Sequence, residues 1–163
     1  MTSESPQKPS APNNPSVQRR TSPSMEQYIE TIAHLLTKDK VCSVSEIAEV
    51  AQVSRPAASR AVRDLAAKDL VEHRAYGYVD LTPQGQSLAD RLTARHHALQ
   101  RFLHEVMGYD AELADEEACR LEHQLDDELA RRMGELISFF ESDSDVAARW
   151  QRHLGEYFDS SAS

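Results

Sequence analysis

Apolar side chains recur every three to four residues from Ser24 onward, which is the spacing of one face of an α-helix. In SMEQYIETIAHLLTK the recurring positions are Tyr28, Ile29, Ile32, Leu35 and Leu36. Ser24 can cap the N-terminus of this segment, and Glu26 lies in its first turn, where negative charge is favourable. The pattern predicts a first amphipathic helix.

Two shorter helical segments follow and are separated by only about three residues. The first is SVSEIAEVAQ, with Ser43 or Ser45 as its cap, and the second begins at Ser54-Arg55-Pro56, where proline is tolerated in the first turn. The apolar positions of the second segment share one inward face: Ala58, Val62 and Leu65. Two short helices joined this tightly predict a helix-turn-helix whose core the first helix completes.

The hydrophobic alternation then changes to period two, which is typical of strands. LVEHR and YVDLT are two such runs, joined by Ala75-Tyr76-Gly77, and they predict a small β-hairpin wing. Helical spacing returns from about residue 83 to residue 106, and two further helices and a last one are predicted after Gly108. The predicted fold is mainly α: a winged helix-turn-helix at residues 24–82, followed by an all-helical domain at residues 83–163.

Residues 1–23 differ in composition from the rest of the chain. They contain five prolines with scattered Ser and Asn and almost no large apolar side chain, which predicts a disordered N-terminal arm. The chain has no run of roughly 18 apolar residues and no apolar signal-peptide core in the arm. We therefore expect a cytoplasmic protein with no membrane partner, in which Cys42 and Cys119 are free thiols.

The charge of the chain limits how it can contact nucleic acid. Its net charge is −9, from 27 Asp and Glu against 18 Lys and Arg, which excludes DNA binding by overall charge alone. Residues 24–82 carry seven basic and nine acidic side chains, whereas residues 83–163 carry eight and seventeen. Any contact with DNA is therefore local and is expected in the first of these two regions.

Basic and hydroxyl side chains mark the outward face of the second helix of the helix-turn-helix. Arg55, Ser59 and Arg60 suit the major groove, where arginine pairs with guanine, and Arg74 and Tyr76 of the wing suit phosphates or the minor groove. The predicted DNA-binding residues are Arg55, Pro56, Ser59, Arg60, Arg63, Arg74 and Tyr76. The alternative is an ordinary solvated helix face on a winged helix that binds protein.

Three side chains of metal-ligand type occur together in the acidic half. Cys119, Glu122 and His123 occupy positions i, i+3 and i+4 of one predicted helix, so they are expected on a single face. Alone this pattern is weak, because a helical cysteine is usually a small buried apolar residue. His96 on the long helix and Glu30 on the first helix can join it if these helices pack together, which predicts a multi-helix metal site.

Several segments together resemble one protein family. SMEQYIETI, the winged helix, RHHALQRFL and DEEACRLEHQLDDELARR are similar to the DtxR/MntR family of metal-dependent bacterial repressors over about residues 22–140. The resemblance implies that the helical domain serves dimerisation and metal binding, and that the homodimer binds operator DNA and represses metal-uptake genes. It implies metal as corepressor and no small organic ligand.

The resemblance also implies a set of ligands. By position they are Gln27, Glu30, His96, Cys119, Glu122 and His123. Gln27 departs from the family, because it offers a neutral oxygen where the iron-responsive branch has methionine and the manganese branch has aspartate. Cys119 matches the iron branch, whereas Glu30 and the lack of a third, SH3-like domain match the manganese branch. Mn²⁺ or Fe²⁺ is expected, with manganese slightly favoured. Gln100 and Asp115 match the family's accessory iron site poorly.

Two other function classes compete with a metal-responsive repressor. An enzyme has little support, because the chain lacks the phosphate-binding loop, the dinucleotide-binding glycine pattern and the nucleophile elbow. A winged-helix regulator that senses oxidation at Cys42 or Cys119, or a small molecule, is the stronger alternative. A redox switch would fail with Cys119→Ser and survive the loss of His96 and Glu30, whereas a metal sensor would be weakened by all three changes.

Overall fold

The computed structural model describes residues 23–39, 42–74 and 77–161. The predicted arm at residues 1–22 and the predicted DNA contact Tyr76 therefore lie outside the described residues. Pro23, which we predicted to end the arm, is instead the first residue of the first helix. A proline is well suited to this place, because the first residues of a helix donate no backbone hydrogen bond within it.

Seven α-helices and one two-stranded sheet build the described part of the chain. The helices are α1 (Pro23–Asp39), α2 (Val44–Val50), α3 (Arg55–Ala66), α4 (Pro83–Arg101), α5 (Ala111–Leu121), α6 (Asp127–Ser142) and α7 (Ser144–Ser161). The strands are β1 (Val71–His73) and β2 (Val79–Leu81). This is the predicted mainly helical class, with a winged helix-turn-helix followed by a helical region.

Hydroxyl caps begin both helices of the helix-turn-helix. Ser43 forms a capping box with Glu46: the Ser43 hydroxyl accepts from the Glu46 amide, and the Glu46 carboxylate accepts from the Ser43 amide at 2.8 Å. Ser54 caps α3 through the amide of Ala57. Gln52, in the turn between them, has a positive φ of 54°. The caps satisfy amide groups that each short helix leaves unpaired, so both ends are set locally.

The wing is a short antiparallel hairpin attached to the helices at its base. Val71 pairs with Leu81 and His73 pairs with Val79. The Val79 amide donates to the Cys42 carbonyl at 2.7 Å, which ties β2 to the segment before α2. The hairpin is therefore part of the folded winged helix and does not stand apart from it.

One continuous hydrophobic core unites the winged helix with the beginning of α4. Its buried members are Ile29, Ile32, Leu35, Cys42, Ile47, Ala48, Ala58, Val62, Leu65, Leu70, Val71, Val79, Leu88, Ala89 and Leu92. The last three lie on α4, so the beginning of this helix shares the core of the winged helix. Thr82 caps α4 through the Gly85 amide and donates its own hydroxyl to the Asp69 carbonyl at 2.6 Å.

The long helix that we predicted from residue 83 to residue 106 is not uniform. It is α-helical to Arg101 and then widens into a π-helical segment at Phe102–Val106. The Met107 amide donates to the Phe102 carbonyl, five residues back, and Gly108 follows with a φ of 75°. A π turn adds one residue to a helical turn, so it changes the direction in which later side chains point.

The helical region after α4 encloses a second, smaller core. Its buried members are Leu99, Leu103, Ala114 and Ala118. Helix α7 folds back onto the end of α4, where the Trp150 indole donates to the Val106 carbonyl at 2.6 Å. No helix within the described ranges is both long and apolar enough to cross a membrane.

Candidate metal centre

Side chains from α1 and from the end of α5 converge at the junction of the two halves. Glu30, Glu122 and His123 each offer one ligand atom, and these three atoms lie within 4.8 Å of one another. Glu122 is 3% exposed, and the other two are partly buried. Two carboxylates and one imidazole at this separation form a site of the size and chemistry that a divalent cation requires.

Glu122 and His123 lie in a turn and not within an α-helix. We predicted that Cys119, Glu122 and His123 share one helix face, but α5 ends at Leu121 and Glu122–Gln124 forms a 3₁₀ turn. The reason is the next helix, because Asp126 caps α6 through the Leu129 amide at 2.8 Å and the chain must become extended before it. The tighter turn carries the carboxylate and the imidazole inward.

His96 contacts this group from α4. Its Nδ1 lies 2.9 Å from Glu122 Oε2, and its Nε2 lies 3.0 Å from Asp115 Oδ1. Gln100 donates to the same Asp115 oxygen at 2.9 Å. The imidazole therefore connects the central carboxylate of the cluster to an outer pair of side chains on α4 and α5. His96 itself does not extend the group of three close ligand atoms.

The remaining two predicted ligands are Gln27 and Cys119, and both are exposed. Gln27 is exposed on α1, and its backbone carbonyl accepts from the Thr31 hydroxyl. Cys119 is exposed on α5, and its thiol is not one of the three close ligand atoms. Burial raises the pKa of the Cys119 thiol, and the nearby Glu122 and Glu30 carboxyls raise it further. The neutral thiol is therefore favoured in the metal-free protein.

The positive charge near Glu30 and Glu122 is too small to offset the burial of these two carboxyl groups. Burial raises the pKa of Glu30 to about 7, the neighbouring Glu122 raises it too, and His123 acts in the opposite direction. Burial likewise raises the pKa of Glu122, although His96 and His123 partly offset the shift. Such shifts report that bringing the ionised carboxylates together is unfavourable. A bound cation would remove that penalty, so the donors fit a metal ion.

One further residue at this site, Glu26, was missed from the sequence. Glu26 is 6% exposed, and its Oε2 lies 3.3 Å from His123 Nδ1 and 3.9 Å from an Arg95 guanidinium nitrogen. We had assigned Glu26 only to the first turn of a helix. The available signal was its spacing, because residues 26 and 30 are one helical turn apart and share a face of α1.

The predicted DNA surface lies on α3, opposite its buried residues. Ala58, Val62 and Leu65 are buried as predicted. Arg55, Pro56, Arg60 and Arg63 are exposed, Ser59 is partly buried, and Arg63 donates to the Ser59 hydroxyl at 3.1 Å. In the wing, Arg74 forms ion pairs with Asp80 and Glu72. Arg74 is therefore engaged by carboxylates of its own hairpin, unlike the outward arginines of α3.

Two family models match consecutive parts of the chain. Residues 20–79 match the iron dependent repressor N-terminal DNA binding domain. Residues 82–151 match the iron dependent repressor metal binding and dimerisation domain. The two matches meet at the end of the wing, and they follow the same order as the winged helix and the helical region described above.

Individual relatives agree with these models. The HTH-type transcriptional regulator MntR of Bacillus pumilus is 35% identical over 121 residues, which are 74% of this chain and 83% of the relative. The protein of that name from Bacillus subtilis is 33% identical over 123 residues, which are 76% of this chain and 86% of the relative.

Solved structures give the same result for the fold. The structure of the manganese regulator SloR has a TM-score of 0.62 and 34% identity over 73% of this chain and 55% of that one. A manganese-dependent transcriptional repressor in complex with manganese has a TM-score of 0.64 and 32% identity over 71% of this chain and 53% of that one. The chain spans about half the length of these solved structures.

Sequence, fold and site thus point to the same kind of protein, a regulator and not an enzyme. The winged helix carries outward arginines, and the cluster of carboxylates and imidazole lies between it and the helical region. The chain belongs to the DtxR/MntR family of metal-dependent transcriptional repressors.

Proposed function

We propose that the chain represses transcription as a homodimer on operator DNA, with Mn²⁺ as its corepressor. One observation carries the proposal: Glu30 comes from the DNA-binding half, whereas Glu122 and His123 come from the helical half, and their ligand atoms lie within 4.8 Å of one another. All three residues would hold a cation, and the two halves would then share its ligands. Metal-uptake genes, as the family resemblance implies, are the proposed targets.

The mechanism is a shift in population. Without a cation, burial disfavours the ionised forms of Glu30 and Glu122. When bound, the cation supplies the positive charge that these carboxylates lack. Glu30 then fixes α1, and with it α3, relative to the helical half. Fixed recognition helices at half-site spacing bind DNA more tightly, and by linkage DNA tightens metal binding equally.

The donor set supports manganese over iron. The three close donors are oxygen and nitrogen atoms, which suit a hard cation. The Cys119 thiol is not among these three close donors. His96 is the next proposed ligand because of its contact with Glu122. Gln27 and Cys119 remain predicted ligands on the strength of the family resemblance.

Exposed apolar side chains on the helical half support a homodimer. They include Leu129, Leu136, Phe139, Trp150 and Tyr157, which are 39% to 66% exposed. An apolar surface of this kind on a small protein is typical of an interface. A two-fold dimer would bring two α3 helices to the two half-sites of one operator. We further expect this dimer in the cytoplasm, with no small organic ligand.

The test is binding of the chelator-stripped protein to its own upstream DNA. Fluorescence anisotropy at fixed salt, titrated with Mn²⁺ and, under anaerobic conditions, with Fe²⁺, measures the metal dependence of DNA affinity. We expect binding to require metal and Mn²⁺ to act at the lower concentration. Equal binding with and without metal would contradict the corepressor mechanism and favour the regulator that senses oxidation or a small molecule.

Matched variants separate these outcomes. Glu122→Gln removes a charge from the centre and is expected to abolish the metal response, whereas Glu112→Gln, on the exposed first turn of α5, is the control and leaves it unchanged. Cys119→Ser is expected to weaken the response to Mn²⁺ without abolishing it. A response lost with Cys119→Ser and kept with Glu122→Gln would instead indicate a redox switch.

A further inference from the structure

We infer that Glu26 is a positioning residue for His123, and that its carboxylate holds the Nδ1 edge of the imidazole so that Nε2 faces the metal site. The inference rests on the proposed function, because it concerns the same site. Glu26 is not one of the six predicted ligands. Glu26 acts through His123 and not as a ligand of the ion.

The two edges of the His123 ring face different carboxylates. Nδ1 lies 3.3 Å from Glu26 Oε2. Nε2 lies 3.8 Å from Glu30 Oε2 and 3.7 Å from Glu122 Oε1. The first distance is within hydrogen-bonding range, whereas the other two leave room between the donors. Glu26 and Glu30 are one turn apart on α1, so carboxylates of this one helix face both ring nitrogens of His123.

The chemistry of imidazole turns this geometry into a preference between tautomers. A neutral imidazole carries one proton, and the nitrogen without it has the lone pair that binds a metal. A carboxylate can only accept a hydrogen bond, so Glu26 favours the proton on Nδ1. Nε2, which faces Glu30 and Glu122, is then the nitrogen left with a lone pair. Carboxylate partners of this kind orient metal-binding histidines and raise their basicity.

Arg95 holds Glu26 in this place. The side chains of Glu26 and Arg95 are only 8% and 14% exposed, and a buried carboxylate needs a compensating positive charge. The guanidinium lies 3.9 Å from Glu26 and donates to Asp127, in the first turn of α6, at 2.7 Å. Arg95 on α4 thus connects α1 to α6, and the orientation of His123 depends on contacts between three helices.

The experiment is long-range ¹H–¹⁵N NMR of the histidine side chains in the full, metal-free chain at pH 8. In the unmodified protein, we expect the His123 proton on Nδ1. The variant Glu26→Leu is expected to shift it to Nε2, the form that free histidine favours in water, and Glu26→Gln to keep it on Nδ1, since an amide oxygen still accepts. Glu49→Leu, at an exposed position on α2, is the control and changes nothing.

The same variants are then titrated with Mn²⁺. We expect Glu26→Leu to weaken binding by about 10- to 100-fold and Glu26→Gln to weaken it less. A His123 proton on Nε2 in the unmodified protein would overturn the inference without any variant. An unchanged tautomer and Mn²⁺ affinity in Glu26→Leu would overturn it as well. Failure of the unmodified protein to bind Mn²⁺ would instead refute the proposed function, because the tautomer is measured without metal.

Discussion

The two halves of the molecule, the winged helix and the helical region after it, bury their apolar surface to different extents. The winged helix and the beginning of α4 enclose a continuous core of fifteen buried residues, among them Ile32 and Leu65. The helical half encloses a cluster of four and leaves Phe139 and Tyr157 57% and 66% exposed. Because a small core stabilises a domain weakly, we expect the first half to be the more stable of the two and the second to depend on the partner subunit of the proposed dimer.

The two halves also differ in their polar interactions. In the winged helix, Ser43, Ser54 and Thr82 cap helices and so satisfy backbone groups. In the helical half, long side chains form ion pairs on the surface, such as Arg101 with Glu105 and Glu141. Exposed ion pairs contribute little to stability. The buried charges lie between the halves, at the candidate metal centre, and this is where the function is expected.

The largest expected effect comes from one substitution made in each half. Leu65→Ala, at a fully buried position, should lower the free energy of unfolding by about 2–5 kcal/mol, because it leaves a cavity. Leu136→Ala, at a position that is 39% exposed, should cost under about 1 kcal/mol at low protein concentration. Urea denaturation followed by circular dichroism measures both. Equal losses would show that the two halves are equally well packed, which would contradict the difference between their cores.

The next effect concerns the exposed apolar face. Phe139→Ser should raise the dissociation constant of the proposed dimer about 30-fold, because a central aromatic side chain at an interface contributes about 2 kcal/mol or more. Val50→Ser is the matched control, since Val50 is 48% exposed but lies on α2. Sedimentation velocity over a range of concentrations measures the change. A dimer weakened by the control and not by Phe139→Ser would place the interface in the other half.

A smaller effect is expected from pH at the junction. The raised pKa of Glu30, about 7, means that binding of a cation must displace a proton near neutrality. Apparent Mn²⁺ affinity should therefore increase by at least about tenfold from pH 6 to pH 8. Glu30→Gln should bind Mn²⁺ more weakly and with a shallower pH dependence. Electron paramagnetic resonance of free Mn²⁺ gives both quantities, and an equally steep profile in the variant would assign the proton to another group.

For the metal-free protein, the raised pKa of Glu30 has the opposite consequence: stability should decrease as the pH rises. A carboxyl group whose pKa rises on folding, here from 4.5 to about 7, stabilises the folded state fully only below its unfolded value. That contribution is lost as the pH rises through about 7. Saturating Mn²⁺ should reverse the trend, since the bound cation favours the ionised carboxylate. Thermal unfolding with and without Mn²⁺ between pH 5 and pH 8 tests this sign.

The smallest effect is expected from a surface ion pair of the helical half. Arg101→Met removes the contacts with Glu105 and Glu141 but keeps most of the side-chain volume. The cost should be about 0.2–1 kcal/mol at low salt and should shrink as salt is added. Urea denaturation at two ionic strengths is sufficient. A cost above that of Leu65→Ala would show that charge, and not burial, holds this half together.

Much of the fold could be predicted because its signals are local. The start of α3 at Ser54-Arg55-Pro56 and the inward row on α3 both depend on interactions within a few residues, and each was correctly predicted. Two elements were not predicted. The π-helical segment at Phe102–Val106 and the 3₁₀ turn at Glu122–Gln124 both read as continuous helix in the sequence. Hydrophobic spacing does not distinguish helical turns that differ by a single residue.

The site was only partly predictable, because its members come from distant parts of the chain. Glu30, Glu122 and His123 were predicted as ligands, and their ligand atoms do lie close together. Glu26 was missed, although it lies four residues before Glu30, because a glutamate in a first helical turn usually faces water. Gln27, named by the family resemblance, is exposed. Neighbours along a helix point in different directions, and only packing decides which of them is buried.

By itself the sequence determined the order of the elements, the helix caps and the set of residues able to hold a cation. The tertiary structure decided which of these residues meet, because contacts across 92 positions, as between Glu30 and Glu122, depend on how α1 and α5 each pack against α4. Gly85 illustrates the limit, since only the packing of α4 shows that a Cβ there would overlap the Leu70 carbonyl. Local patterns follow from backbone geometry, whereas convergence follows from the burial of apolar surface over the whole chain.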